Sequence, residues 1–155
     1  MPRENHDEIV RALVAPGWPA VRDRMEEIVG WLADPNCTGC WVALEFCRNL
    51  GAGFIPHARD ILKGDDHDVR HVALTNILNG WSREQLAQVE PELAEVAMGS
   101  GPDGAWLEAL RLLVRNGLGD RPRLAQRITG MLTARRSDLS ELEELQRLLE
   151  REPAS

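Results

Sequence analysis

Apolar residues recur at intervals of three or four positions along most of the chain, and no long segment alternates with a period of two. Val21, Met25, Ile28 and Leu32 form the clearest of these stripes, and such spacing is typical of an amphipathic helix. Proline, glycine and acidic residues interrupt the pattern every ten to fifteen residues or so. The sequence therefore predicts an all-α protein whose helices arrive in pairs joined by short turns.

A weak internal repeat accompanies this periodicity. Val42-Ala43-Leu44 recurs as Val72-Ala73-Leu74 at an offset of 30 residues, each copy following an acidic turn. Short connections favour stacked antiparallel helix hairpins, and one hairpin cannot bury its apolar side alone. We therefore expect a HEAT-like right-handed α-α superhelix of about three to four repeats, with a closed helical bundle as the alternative. It would be a single domain over residues 1–155, with a core over 1–118 and a C-terminal capping hairpin over 119–155.

Several residues have the chemistry of helix ends. Asp65 or Asp66 can accept backbone N–H groups at the start of a helix, and Ser82 with Gln85 has the spacing of a capping box. Further starts are expected at Asp103 and Ser137. Among the tryptophans, Trp31, Trp41 and Trp106 lie near apolar stripes and are expected to pack in the core, whereas Trp18 and Trp81 could anchor a partner or cover the ends of the core.

Composition and charge narrow the class of partner. The net charge of −7 disfavours nucleic acid and favours a basic protein partner. No apolar run approaches the length of a membrane span, and the polar N-terminus lacks the pattern of a signal peptide. Three cysteines, an odd number, argue against a disulfide framework. We therefore expect a cytoplasmic protein that contacts no membrane.

Two motifs could carry chemistry. Cys37 and Cys40 form a Cys-x-x-Cys motif with Cys47 downstream, but no second pair completes a zinc site. Cys40 and Cys47 fall on the apolar face and are expected to be buried thiols. His67 and His71 lie four residues apart beside aspartates, which leaves open an alternative: a small metal- or ligand-binding helical enzyme. A solvated helix face is the simpler interpretation. His6 and His57 stand isolated, and we predict no catalytic residue, metal ligand or cofactor.

Three segments together resemble the DUF5071 family of small bacterial helical proteins. They are Pro2-Arg3-Glu4-Asn5-His6-Asp7, Trp31-Leu32-Ala33-Asp34-Pro35-Asn36 and Ile61-Leu62-Lys63-Gly64-Asp65-Asp66. The resemblance covers about residues 2–115. It implies a HEAT-like fold and no established activity, and analogy at the level of fold adds bacterial immunity proteins as a possible class.

The function that we predict from these observations is a non-enzymatic protein–protein binding module, of which an acidic immunity-type or adaptor protein is one form. It would be a monomer, or a weak homodimer that associates through the leucine-rich face of residues 139–149. The expected contact surface consists of residues in the acidic turns and at the nearby helix ends, namely Asp34, Asn36, Asp65, Asp66, His67, Arg70, His71 and Trp81.

Overall fold

A computed structural model describes residues 5–99, 104–134 and 139–151. These residues form ten α-helices and no strand, which confirms the prediction of an all-α protein. In chain order the helices are α1 His6–Val14, α2 Met25–Gly30, α3 Thr38–Asn49, α4 Ile55–Lys63, α5 His67–Asn76, α6 Arg83–Ala87, α7 Glu90–Ala97, α8 Ala105–Arg115, α9 Arg121–Ala134 and α10 Leu139–Arg151. Short 3₁₀ helices cover Arg22–Arg24, Trp31–Ala33, Gly51–Phe54 and Leu78–Gly80.

The predicted caps are present where the structure describes them. The Asp66 side chain accepts a hydrogen bond from the backbone N–H of Val69 at 3.1 Å and so begins α5. Ser82 and Gln85 exchange side-chain and backbone hydrogen bonds in a capping box that begins α6. These short-range bonds satisfy N–H groups that have no partner within the helix. The starts predicted at Asp103 and Ser137 lie outside the described residues.

The apolar stripes form the core, as the periodicity predicts. Val21, Met25, Ile28 and Leu32 are all buried, as are the core-facing residues of α3, α5 and α8, namely Cys40, Leu44, Cys47, Val69, Ala73, Trp106, Leu110 and Leu113. The prediction that Trp41 packs in the core is wrong, because 57% of its surface is exposed.

The described part of the chain gathers into two compact units, the first ending at Val89 and the second beginning at Glu90. In the first unit α1 packs on α3 and α4 packs on α5. In the second unit α7 packs on α8, and α10 packs on both α8 and α9. The organisation as one domain over residues 1–155 stays a prediction.

The C-terminal leucine face takes part in packing within the second unit. Leu142 and Leu145 are completely buried. Arg111 of α8 donates from Nε to Glu141 of α10 at 2.6 Å, which ties the two helices together, and from Nη1 to Glu108 of its own helix at 2.8 Å. Within the described residues no helix has the length and apolarity that crossing a membrane requires.

Candidate functional site: an acidic groove in the first unit

A groove of about 720 Å³ runs between residues 22–30, helix α4 and the turn that leads into α5. Four apolar residues of its lining are buried or half-buried, and we call them the floor: Met25, Val29, Ile61 and Val69. Five carboxylate side chains lie around this floor, all on exposed residues: Asp23, Glu26, Asp60, Asp65 and Asp66. We call this feature the acidic groove. It joins two segments that are about 30 residues apart in the sequence.

Local hydrogen bonds shape the turn at one side of the acidic groove. Helix α4 ends as the N–H of Gly64 donates to the carbonyl of Ile61 at 3.2 Å. The Arg70 guanidinium reaches back from α5 and donates to the carbonyl of Gly64. The Asp66 side chain caps α5, and both Asp65 and Asp66 are exposed residues that line the groove. The sequence of this turn therefore fixes one helix end, one helix start and two exposed acidic residues.

Negative charge predominates in the acidic groove. Its lining holds five carboxylates against a single guanidinium, that of Arg22. His57 does not restore the balance, because burial lowers the pKa of its ring, an effect that the nearby Asp60 only partly opposes. Burial therefore disfavours a positive charge on this ring. Carboxylates set around a low-dielectric floor focus a negative potential into the groove.

An aromatic cluster lies beside the acidic groove. The Trp18 ring packs edge-on against His57, with 6.0 Å between ring centroids, and Arg22 Cζ lies 5.4 Å from the Trp18 ring centroid. Both partners of Trp18 line the groove. The Trp18–Pro19 peptide bond is cis, and 37% of the Trp18 surface is exposed. Trp18 therefore presents a partly open aromatic face next to a concentration of carboxylates.

The structure brings only Asp65 and Asp66 of the predicted contact residues into this groove. Asp34 lines a different, smaller cavity, and its side chain accepts the backbone N–H of Asn36 at 3.0 Å within its own turn. Trp81 is half-buried and packs edge-on against Phe54 at 6.4 Å between ring centroids. It lines a third cavity together with Arg48.

The remaining predicted residues lie on α5. His67 is exposed in the first turn, and its Nδ1 lies 3.5 Å from Nη1 of Arg70. Arg70 and His71 are half-buried, and Arg70 holds the end of α4 as described above. Across the residues that the structure describes, no group of three or more His, Cys, Asp or Glu side chains could hold a metal ion. The alternative of a small metal- or ligand-binding helical enzyme stays a prediction.

The cysteines divide into two kinds. Cys40 and Cys47 are buried, as predicted, and burial raises the pKa of both thiols, that of Cys47 to about 12. Cys37 is only half-buried, and its Sγ lies 3.0 Å from Nδ1 of His6. His6 is therefore not isolated, contrary to the expectation from sequence, because the packing of α1 on α3 brings together residues 31 positions apart.

Comparison of the chain with protein-family models, with curated proteins and with solved structures finds no match. The resemblance to the DUF5071 family therefore stays a prediction.

Proposed function

We propose that this chain is a non-enzymatic protein-binding module whose acidic groove binds a basic segment of a partner protein. The observation that carries the proposal is the arrangement of five carboxylates around an apolar floor, with one guanidinium opposing them. An immunity-type or adaptor role is the form of this function that we favour. The three free thiols agree with a cytoplasmic setting, which is part of the proposal.

The floor and the carboxylates together favour a ligand that is both apolar and positively charged. Lysine and arginine side chains lay their aliphatic stems along apolar surface and keep the charged group in water. In the acidic groove such stems could contact Ile61 and Val29, while the charged ends reach Glu26, Asp60 or Asp65. Hydrogen bonds between cations and carboxylates are stronger than those between neutral groups. A basic amphipathic segment therefore fits better than an acidic or a purely apolar one.

Trp18 gives the proposed surface an aromatic contact. Tryptophan is enriched among the residues that contribute most to protein–protein binding, and its ring attracts guanidinium groups. Arg22 already lies over the Trp18 ring. This contact is consistent with affinity of the site for guanidinium, and an arginine of the partner could stack against the exposed part of the ring.

We also propose that the helix pairs belong to a HEAT-like stack. The contacts of α4 with α5, α7 with α8 and α9 with α10 support this, since each pair is consecutive in the sequence. In such stacks the turns between helices gather along one edge, where binding surfaces are common. The turn at residues 64–66 lines the acidic groove, which is consistent with a binding surface at such an edge.

The proposal is tested by titration calorimetry of the full chain with a synthetic amphipathic helical peptide bearing arginine on one face and leucine on the other. A groove variant carries Glu26→Gln, Asp60→Asn and Asp65→Asn. Each lost exposed charge pair is worth about 0.3–1 kcal/mol, so the three changes together should weaken binding about tenfold. The affinity of the unmodified chain should also fall as salt is added.

A matched control variant changes the net charge of the chain by the same amount at exposed carboxylates outside the groove, with Glu8→Gln, Glu45→Gln and Glu84→Gln. Its affinity should stay within about twofold of the unmodified chain. If the two variants lost affinity for the peptide equally, binding would depend on the overall charge of the chain. That result would refute the groove as the binding site. Failure of the peptide to bind the unmodified chain at low salt would also count against the proposal.

A further inference from the structure

A second site lies in the first unit, where His6 and Cys37 meet beside a cavity of about 290 Å³. The Cys37 sulfur and the His6 Nδ1 are 3.0 Å apart, within hydrogen-bonding reach of a thiol and an imidazole. In the tautomer that carries its proton on Nε2, Nδ1 accepts the thiol hydrogen. A nucleophile within hydrogen-bonding distance of a base is the arrangement that activates cysteine.

The surroundings keep this pair in place. The His6 ring packs against Trp31, with 5.5 Å between ring centroids and an interplanar angle of 57°. The backbone N–H of Cys37 donates to the carbonyl of Asp34 at 3.1 Å, which holds Cys37 at the residue before α3. Cys37 is therefore the N-cap residue of a helix of 12 residues, at the end of the helix where the backbone dipoles favour negative charge.

The cavity sets the chemistry of what can approach the sulfur. Its lining includes the Trp31 ring together with two carboxylates, Glu27 and Asp34. A volume of about 290 Å³ admits a small molecule and excludes a folded protein. The carboxylates favour a cationic small molecule over an anionic one.

We propose that His6 and Cys37 form a reactive thiol site that undergoes thiol–disulfide exchange with small cationic disulfides. The Cys37 proton passes to Nδ1 of His6, and the thiolate attacks one sulfur of the small disulfide. A new S–S bond joins Cys37 to that half, the original S–S bond breaks, and the other half leaves as a thiolate that takes the proton from His6. One thiol is consumed and one thiol is released, so the number of S–S bonds is unchanged and the exchange needs no further oxidant or reductant.

The other two cysteines provide an internal control. Cys40 and Cys47 are no more than 1% exposed, so a reagent in solution reaches neither sulfur while the protein is folded. Modification of the folded chain should therefore stop at one adduct, on Cys37. This selectivity follows from geometry and does not depend on the acidic groove.

The experiment follows adduct formation on the full chain by mass spectrometry, with cystamine as the cationic disulfide and dithiodipropionate as the anionic one. We expect a single adduct on Cys37 that forms at least about threefold faster with cystamine. The variant Cys37→Ser should give no adduct on the folded chain. Adducts on Cys40 or Cys47 at a similar rate, or faster reaction with dithiodipropionate, would overturn the proposal.

The role of His6 is tested with His6→Gln, whose folding is checked by circular dichroism. Loss of the base should slow the cystamine reaction of the folded chain about tenfold. In concentrated urea, where the pair is separated, the variant and the unmodified chain should react at equal rates. His6→Asn serves as a second variant should the first be poorly folded. Equal rates in the folded proteins would overturn the assignment of His6 as the base.

Discussion

A methyl group added at Gly39 should destabilise the first compact unit. Gly39 lies in the first turn of α3, where α1 and the Trp31 ring approach closely. A Cβ at this position would lie 2.8 Å from Cε3 of Trp31 and 2.8 Å from Cγ2 of Val10. Carbon atoms attract best at about 3.5–4.0 Å, so the neighbours would have to move by about 1 Å.

The free energy of this change has two opposing parts. Overpacking of a filled core costs about 1–3 kcal/mol, and Val10 is completely buried, which leaves it little room to move. Replacing glycine by alanine in a helix returns up to about 1 kcal/mol through reduced backbone entropy of the unfolded chain. We therefore expect Gly39→Ala to lower the free energy of unfolding by about 1–2 kcal/mol, a fall in Tm of about 3–6 °C for a chain of this size.

Urea unfolding followed by circular dichroism measures this difference, and Gly30→Ala is the matched control. Gly30 belongs to the same unit and lies in α2, and no atom stands within 4 Å of its added Cβ. The control should be as stable as the unmodified chain or more stable by up to about 1 kcal/mol. If Gly39→Ala were equally stable, the close approach of α1, α3 and Trp31 would be refuted.

Three further predictions concern a cap, a buried thiol and the two units. Asp66→Ala removes the acceptor for the Val69 N–H and should cost about 0.5–2 kcal/mol in urea unfolding, whereas Asp66→Asn should cost much less. Burial raises the pKa of Cys47 to about 12, so above about pH 9 the unfolded chain loses this proton first and stability falls by about 1.4 kcal/mol per pH unit. The fall in the free energy of unfolding between about pH 9 and about pH 11 should be smaller in Cys47→Ala. The chain has no tyrosine whose ionisation would add to the pH dependence in this range. An equal fall in the two proteins would contradict the burial of this thiol. A fragment ending at Val89 should unfold cooperatively on its own in calorimetry, and a fragment without a transition would contradict its independence as a unit.

The helices and their caps could be predicted from sequence because their causes are local. Asp66 and Ser82 each bond to a backbone group three residues away. The stripe from Val21 to Leu32 needs only the periodicity of a helix and an apolar partner surface. Such short-range rules do not depend on which other helix provides that surface.

The position of Trp41 shows where the same reasoning fails. It shares a helix face with Glu45 and Arg48, which are four and seven residues further on, and both are exposed. The large apolar ring suggested burial, whereas the polar neighbours on its face indicated solvent. The polar residues at those spacings predict that Trp41 lies on the exposed side of α3.

The acidic groove and the His6–Cys37 pair could not be predicted because they join distant segments. Glu26 and Asp60 come from different helices, and the local sequence of neither helix predicts that the two pack together. The pairing of His6 with Cys37 likewise depends on the contact of α1 with α3. The turn at Asp65 and Asp66 is the part of the groove that the sequence predicts, since its acidic residues and its helix cap lie in one short segment.

The most direct test of the acidic groove as a binding surface is chemical-shift mapping of the full chain with the arginine–leucine peptide. If the account is right, the largest amide shifts fall at Gly30, Asp60 and Gly64, which line the groove, and the indole N–H of Trp18 moves with them. Amides around Glu45 on α3 should hardly move. Shifts of similar size at both places would contradict the groove as the site of binding.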